Sequence, residues 1–203
     1  MHPLAGVGIA YLAGSIPFAF LAGKAKGVDL REHGSGNLGA TNAIRVLGKR
    51  IGALVYLGDT LKGMLPALLL PLTIEANHPG LWAIAYGVAA ILGHVKPIFL
   101  MGQGGGKGVA TAGGVFFGLA WLPAVIALAA FIIVVATTRI VSAGSLTAAA
   151  VLPVAILVVK GPHTLFLISA AVSVLVFLMH RANISRIASG TEPRIGRREK
   201  SAE

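Results

Sequence analysis

The sequence has no cysteine, and only 12% of its 203 residues are charged. The first absence excludes disulfides and thiolate metal sites. The second excludes an ordinary water-facing surface, because a soluble domain carries roughly a quarter charged residues. Acidic residues are scarcest: 7 Asp and Glu stand against 17 Lys and Arg, a formal net charge of +10. On a soluble chain that excess would suggest nucleic acid. Here the positive-inside bias of membrane proteins accounts for most of it, with anionic substrates or lipid headgroups as a second contribution, and no nucleic-acid partner is expected. Linkers, low-complexity tracts and internal repeats are also missing, which leaves a single membrane-embedded domain over 1–203.

What remains is apolar. Hydrophobic residues make up 56% of the chain and the mean hydropathy is +0.83. Runs of about 17–21 apolar residues match the roughly 30 Å hydrocarbon core. Spans are expected at about 4–22, 52–74, 80–100, 109–121, 123–138, 144–160 and 164–179. The first run lacks a basic leader, so it is expected to be a retained helix and not a signal peptide. Residues 109–138 read as one helix would be about 45 Å long, too long for the core. Breaking them at Trp121-Leu122-Pro123 gives seven spans with the N-terminus outside. Lys24, Lys26, Arg31, Arg45, Lys49, Arg50, Lys107, Arg139, Arg181, Arg186, Arg194, Arg197, Arg198 and Lys200 then fall inside, and Lys160 alone outside. Six spans would divide the same residues almost evenly. Charge therefore favours an all-α protein of seven transmembrane helices, one of them short or broken, with a cytoplasmic C-terminus.

This topology gathers three polar segments, about 33–50, 102–111 and 180–192, on one side. In the first, Ser35, Asn37, Thr41 and Asn42 offer neutral hydrogen bonds, and Arg45 a bidentate contact to phosphate. Gly34–Gly39 also fits the dinucleotide pattern G-x-G-x-x-G, but no strand precedes it, so the match is discounted. The second, Gly104-Gly-Gly-Lys-Gly-Val-Ala-Thr111, runs into an apolar stretch. A glycine turn at a helix start aims backbone N–H groups at one anion, and Lys107 adds charge. It is not a Walker A loop, because Met101 stands where the first glycine belongs and Gly108 where a magnesium-binding hydroxyl belongs. In the third, His180 and Asn183 are three apart and share a helical face. Asp59 and Lys62 share a face inside the second span, where a salt bridge or a water-filled cavity is expected, and both a structural and a functional role stand open. His94 reads more simply as a structural histidine.

Together the segments resemble the bacterial membrane family of acyl-phosphate:glycerol-3-phosphate acyltransferases. The resemblance rests on Gly34-Ser-Gly-Asn-Leu-Gly-Ala-Thr-Asn42, Gly105-Gly-Lys-Gly-Val-Ala-Thr111 and His180-Arg-Ala-Asn-Ile-Ser-Arg186, in order and with similar spacing. Asp59-Thr-Leu-Lys-Gly63, Gly93-His94 and Ser142 support it. It implies transfer of a fatty acyl group from acyl phosphate to glycerol 3-phosphate, giving lysophosphatidic acid and phosphate at the cytoplasmic face of the bacterial inner membrane. It also implies that His180, Asn183 and Lys107 serve the chemistry, and that Ser35, Asn37, Thr41, Arg45, Gly105, Gly106, Lys107, Gly108, Thr111 and Ser142 bind substrate. Acyl phosphate is a mixed anhydride with a good leaving group, so no cofactor, metal or covalent intermediate is called for. Whether His180 or a substrate phosphate takes the hydroxyl proton is left open. The rival class is a transporter for a phosphate-bearing solute, which would also use glycine loops and buried charge.

Overall fold

The computed structural model describes residues 1–195. Arg197, Arg198 and Lys200, counted above among the inside charges, lie outside the described residues. Among the described residues the chain forms ten α-helices and no strand: α1 (Pro3–Ser15), α2 (Phe18–Lys24), α3 (Ala40–Leu47), α4 (Lys49–Leu69), α5 (Pro79–Val95), α6 (Val109–Leu119), α7 (Trp121–Thr138), α8 (Val141–Lys160), α9 (Thr164–Met179) and α10 (Arg181–Ala188). Five stretches are long and apolar enough to cross a membrane: Pro3–Lys24, Lys49–Thr73, Pro79–Leu100, Trp121–Thr138 and Val141–Lys160. A sixth is the pair α9 and α10, bent by 62° at His180, and α6 is a shorter apolar helix.

Two boundaries differ from the sequence expectation. The first span is broken: Ile16 is extended (φ −60°, ψ 114°) between α1 and α2. Pro17 has no N–H and pushes the residue before it out of helical conformation. The later break falls at Ala120 (φ −152°, ψ 66°) and not over Trp121–Pro123. Pro123 lies in the first turn of α7, where its missing N–H costs nothing, so it helps start a helix and does not end one.

Packing groups the chain into two compact units, Met1–Trp121 and Leu122–Glu203. In the first, small residues bring helices into backbone contact, as expected where lipid removes the hydrophobic drive between helices. A side chain at Gly114 on α6 would strike the Thr60 carbonyl on α4, and one at Gly63 would strike the Thr111 carbonyl. Gly14 and Gly93 do the same for α1 and α5. Tyr86 on α5 is fully buried and donates to the Pro3 carbonyl at 3.1 Å. Gly114→Val should therefore force α4 and α6 apart at a cost of about 1–3 kcal/mol, read as a lower unfolding temperature in detergent. In the second unit Gly144 on α8 lies against Phe131 and Val135 of α7. The Ser173 hydroxyl on α9 donates to the Ala149 carbonyl on α8.

Candidate active site

In the first unit the polar loop before α3 is organised by Asn42. Its side chain, 1% exposed, donates to the Leu30 and His33 carbonyls, both at 3.0 Å. Its Oδ1 accepts from the Ser35 backbone at 2.9 Å and lies 3.5 Å from Arg45 Nη1. Asn42 thus faces inward and holds the loop, so its hydrogen bonds are spent on the fold. Gly34 (φ +63°) makes room, since a side chain there would meet Asn42 Oδ1. Ser35, Thr41 and Arg45 are exposed around this inner bracket, and Asn37 is half-buried. Asn42→Ala should cost about 1–3 kcal/mol, because it leaves buried backbone groups unpaired. The same change should remove most activity, and Ser35→Ala should leave the unfolding temperature near wild type.

The glycine loop leads into α6. Gly108 takes a left-handed conformation (φ +83°) as its N-cap, and Gly104 does likewise (φ +67°). Gly105 is pressed against the Val95 carbonyl and Gly106 against the His94 ring, so neither tolerates a side chain. Lys107 is half-buried between Gly106 and Gly108. The first two polar segments meet here: a side chain on Gly104 would touch the Leu38 side chain and the Arg31 stem, and one on Gly106 would meet the Leu38 carbonyl. The Arg31 guanidinium hydrogen-bonds Asp29 and holds its carboxyl at about 2. Thr111 lies deeper, fully buried with its carbonyl against Gly63, and its hydroxyl has no hydrogen-bond partner.

The expected Asp59–Lys62 pair is present, with Lys62 Nζ 2.7 Å from Asp59 Oδ1. Lys62 also donates to the Ile16 carbonyl at 2.7 Å, an acceptor exposed by the break before Pro17. His94, read as structural from sequence, joins this pair through Nδ1, 3.5 Å from Asp59 Oδ1.

In the second unit the third segment closes on an acidic residue that sequence reasoning passed over. Glu192 Oε1 accepts from Ser142 Oγ and Asn183 Nδ2, both at 2.6 Å, and Oε2 accepts from Arg186 Nε at 2.6 Å. Burial disfavours the charged carboxylate, but these three donors outweigh it and hold Glu192 below its ordinary range. Local backbone geometry brings it there. Gly190 (φ +72°) ends α10, Thr191 and Glu192 donate their N–H groups to the Arg186 carbonyl, and Ile195 donates to Arg139. The available signal was an acid set between two arginines, Arg186 and Arg194, in a basic tail. His180 sits at the bend between α9 and α10, and its Nδ1 faces the Val176 carbonyl at 2.8 Å. A carbonyl can only accept, so Nδ1 carries the proton of the neutral ring and Nε2 is its basic nitrogen.

The glycerol-3-phosphate acyltransferase family model matches residues 4–190. The glycerol-3-phosphate acyltransferase of Geotalea daltonii is 47% identical over 186 residues, covering 90% of this chain and 92% of that protein. That of Bacillus velezensis is 44% identical over 188 residues, covering 92% and 94%. Among solved structures, the crystal structure of PlsY (YgiH), an integral membrane glycerol 3-phosphate acyltransferase, is similar in its glycerol 3-phosphate form. It shows a TM-score of 0.89 and 38% identity over 97% of this chain and 96% of that one. Its lysophosphatidic acid form gives a TM-score of 0.86 at 37% identity, with the same coverage. The family match over nearly the whole length, joined to the shared helical fold, means that this multi-pass membrane protein belongs to the glycerol-3-phosphate acyltransferase family.

Proposed function

We propose that the protein transfers a fatty acyl group from acyl phosphate to glycerol 3-phosphate, releasing lysophosphatidic acid and inorganic phosphate. The observation that carries this reading is the glycine loop ending in Lys107 at the start of α6, a phosphate cradle in a member of this family. The glycerol 3-phosphate and lysophosphatidic acid forms of the similar structure agree with acceptor and product. The acyl phosphate donor rests on the chemistry. Its leaving group is already activated, and the chain offers donors and cations but no cysteine nucleophile.

The glycerol 3-phosphate hydroxyl attacks the acyl carbonyl carbon. The new ester C–O bond forms, the bond to phosphate breaks, and phosphate leaves with the electron pair. The hydroxyl proton passes to His180 Nε2 or to a substrate phosphate oxygen. Lys107 and the N–H groups of Gly105, Gly106 and Gly108 stabilise charge on a phosphate, with the Thr111 hydroxyl beneath them. Ser35, Asn37, Thr41 and Arg45 orient the second anion, and Ser142 and Asn183 the glycerol hydroxyls. Rate then comes from alignment and preorganised charge, without cofactor or metal.

The reading places seven spans in the bacterial inner membrane, counting the short α6 and the bent α9–α10 pair, with the N-terminus outside. The polar segments then face the cytoplasm, and the acyl chain stays among the helices. Vesicles containing the protein, supplied with glycerol 3-phosphate and palmitoyl phosphate, palmitoyl-CoA or palmitoyl-acyl carrier protein, test the donor. Lysophosphatidate from palmitoyl phosphate alone is expected. Equal rates from the thioesters would overturn the donor assignment.

A further inference from the structure

Three ionisable groups lie in the helices beneath the glycine loop: Asp59 and Lys62 on α4 are 2% and 6% exposed, and His94 near the end of α5 is 6% exposed. Buried charge in a membrane span is expensive, and an apolar replacement of similar volume is often no less stable. Three such groups together therefore point to a role beyond stability. Lys62 is held by Asp59, by the Ile16 carbonyl, and by the Phe18 ring 5.6 Å away. Asp59 Oδ1 lies 2.7 Å from Lys62 Nζ and 3.5 Å from His94 Nδ1, yet it has no aligned hydrogen bond. It borders a small cavity, lined also by Lys62, His94 and Gly104–Gly106, with room for about one water molecule.

His94 connects this charge to the loop. Nδ1 is turned to Asp59, and the neighbouring Cε1–Nε2 edge fills the place that a side chain on Gly106 would take. The His94 carbonyl closes on Gly105 from below. The ring is therefore fixed on one side by a carboxylate and sets the backbone of the loop on the other. We propose that His94, held by Asp59 and Lys62, is a positioning residue that fixes the Gly105–Gly106 backbone and so aims its N–H groups and Lys107 at the bound phosphate. The proposal rests on the reading of this loop as a phosphate site. The triad does not touch substrate. It acts through the loop, so its effect falls on affinity for the phosphate-bearing substrate more than on turnover.

Steady-state kinetics with both substrates, run beside thermal unfolding, tests this in His94→Asn, His94→Gln, Asp59→Asn and Lys107→Ala. The Asn amide can take the place of Nδ1 and keeps the Asp59 contact. The Gln amide reaches the place of Nε2 and keeps the loop contact. Lys107→Ala should raise KM for one substrate. For that substrate His94→Asn and Asp59→Asn should raise KM about tenfold to a hundredfold, with kcat within about threefold of wild type. His94→Gln should recover a large part of the affinity. A raised KM in Lys107→Ala beside wild-type KM in folded His94→Asn would overturn this proposal alone. Unchanged KM in folded Asp59→Asn, which is isosteric, would do the same even where the His94 variants fail to fold. Unchanged KM values in Lys107→Ala would overturn the loop assignment, and this proposal with it.

Discussion

Lys107→Ala is expected to raise KM for one substrate and to lower kcat/KM by about 10²–10³-fold, a loss of the size found in kcat when one preorganised donor to a developing oxyanion is removed. Lys107 lies in the last turn of the glycine loop, directly before the left-handed N-cap Gly108. Its backbone is held from the N-terminal side, because Gly105 and Gly106 are pressed onto the end of α5. The ammonium therefore adds a full charge beside the α6 N-terminus, whose first N–H groups have no partner within the helix. Removing it takes away charge and leaves the loop in place, so the unfolding temperature should stay within a few degrees of wild type. Lys107→Arg should restore part of the activity only, since a planar fork does not occupy the position of a compact ammonium. An activity within about threefold of wild type in Lys107→Ala would remove the phosphate cradle from the account.

Glu192→Ala is the second large effect, and it should appear in both stability and activity. One carboxylate, with its side chain 7% exposed, accepts from Ser142, Asn183 and Arg186. Its loss leaves three donors without their acceptor, two of them on buried residues. The expected cost is about 1–3 kcal/mol, the penalty for leaving buried donors unsatisfied. Activity should fall further than stability alone requires, because Ser142 and Asn183 lose the group that orients them. The acid response follows from the same contacts. Glu192 has a lower carboxyl pKa folded than unfolded, so its stabilisation is complete above the ordinary carboxylate value and is lost as pH falls through the folded one. Unfolding temperature against pH should show that acid step in the wild type. It should be flattened in Glu192→Gln, and an identical step in both would refute the assignment.

The long apolar runs, the three polar segments and the buried Asp59–Lys62 pair were all legible in the sequence, because hydropathy and glycine clusters act locally. What proline does was less so. Pro17 breaks an apolar run that reads as one span, whereas Pro123 sits inside a first turn and breaks nothing. Both residues look alike in sequence, and only their position relative to a helix start separates them. The direction of a polar side chain was hidden too. Asn42 and Thr41 are neighbours with similar hydrogen-bonding capacity, yet Asn42 is buried as the bracket of its loop and Thr41 is exposed. Successive residues on a helix point about 100° apart, so the register of α3 decides which one meets the interior. Glu192 and His94 were underread for a related reason, because their partners lie up to fifty residues away in the chain.

The most direct test of the account is purified, folded protein given palmitoyl phosphate and labelled glycerol 3-phosphate, with lysophosphatidate and inorganic phosphate followed together. The account predicts that they appear one for one, that phosphate release depends on glycerol 3-phosphate, and that Lys107→Ala and Asn183→Ala each suppress both products. Absence of lysophosphatidate from a folded sample, or phosphate release that runs on without the acceptor, would contradict it.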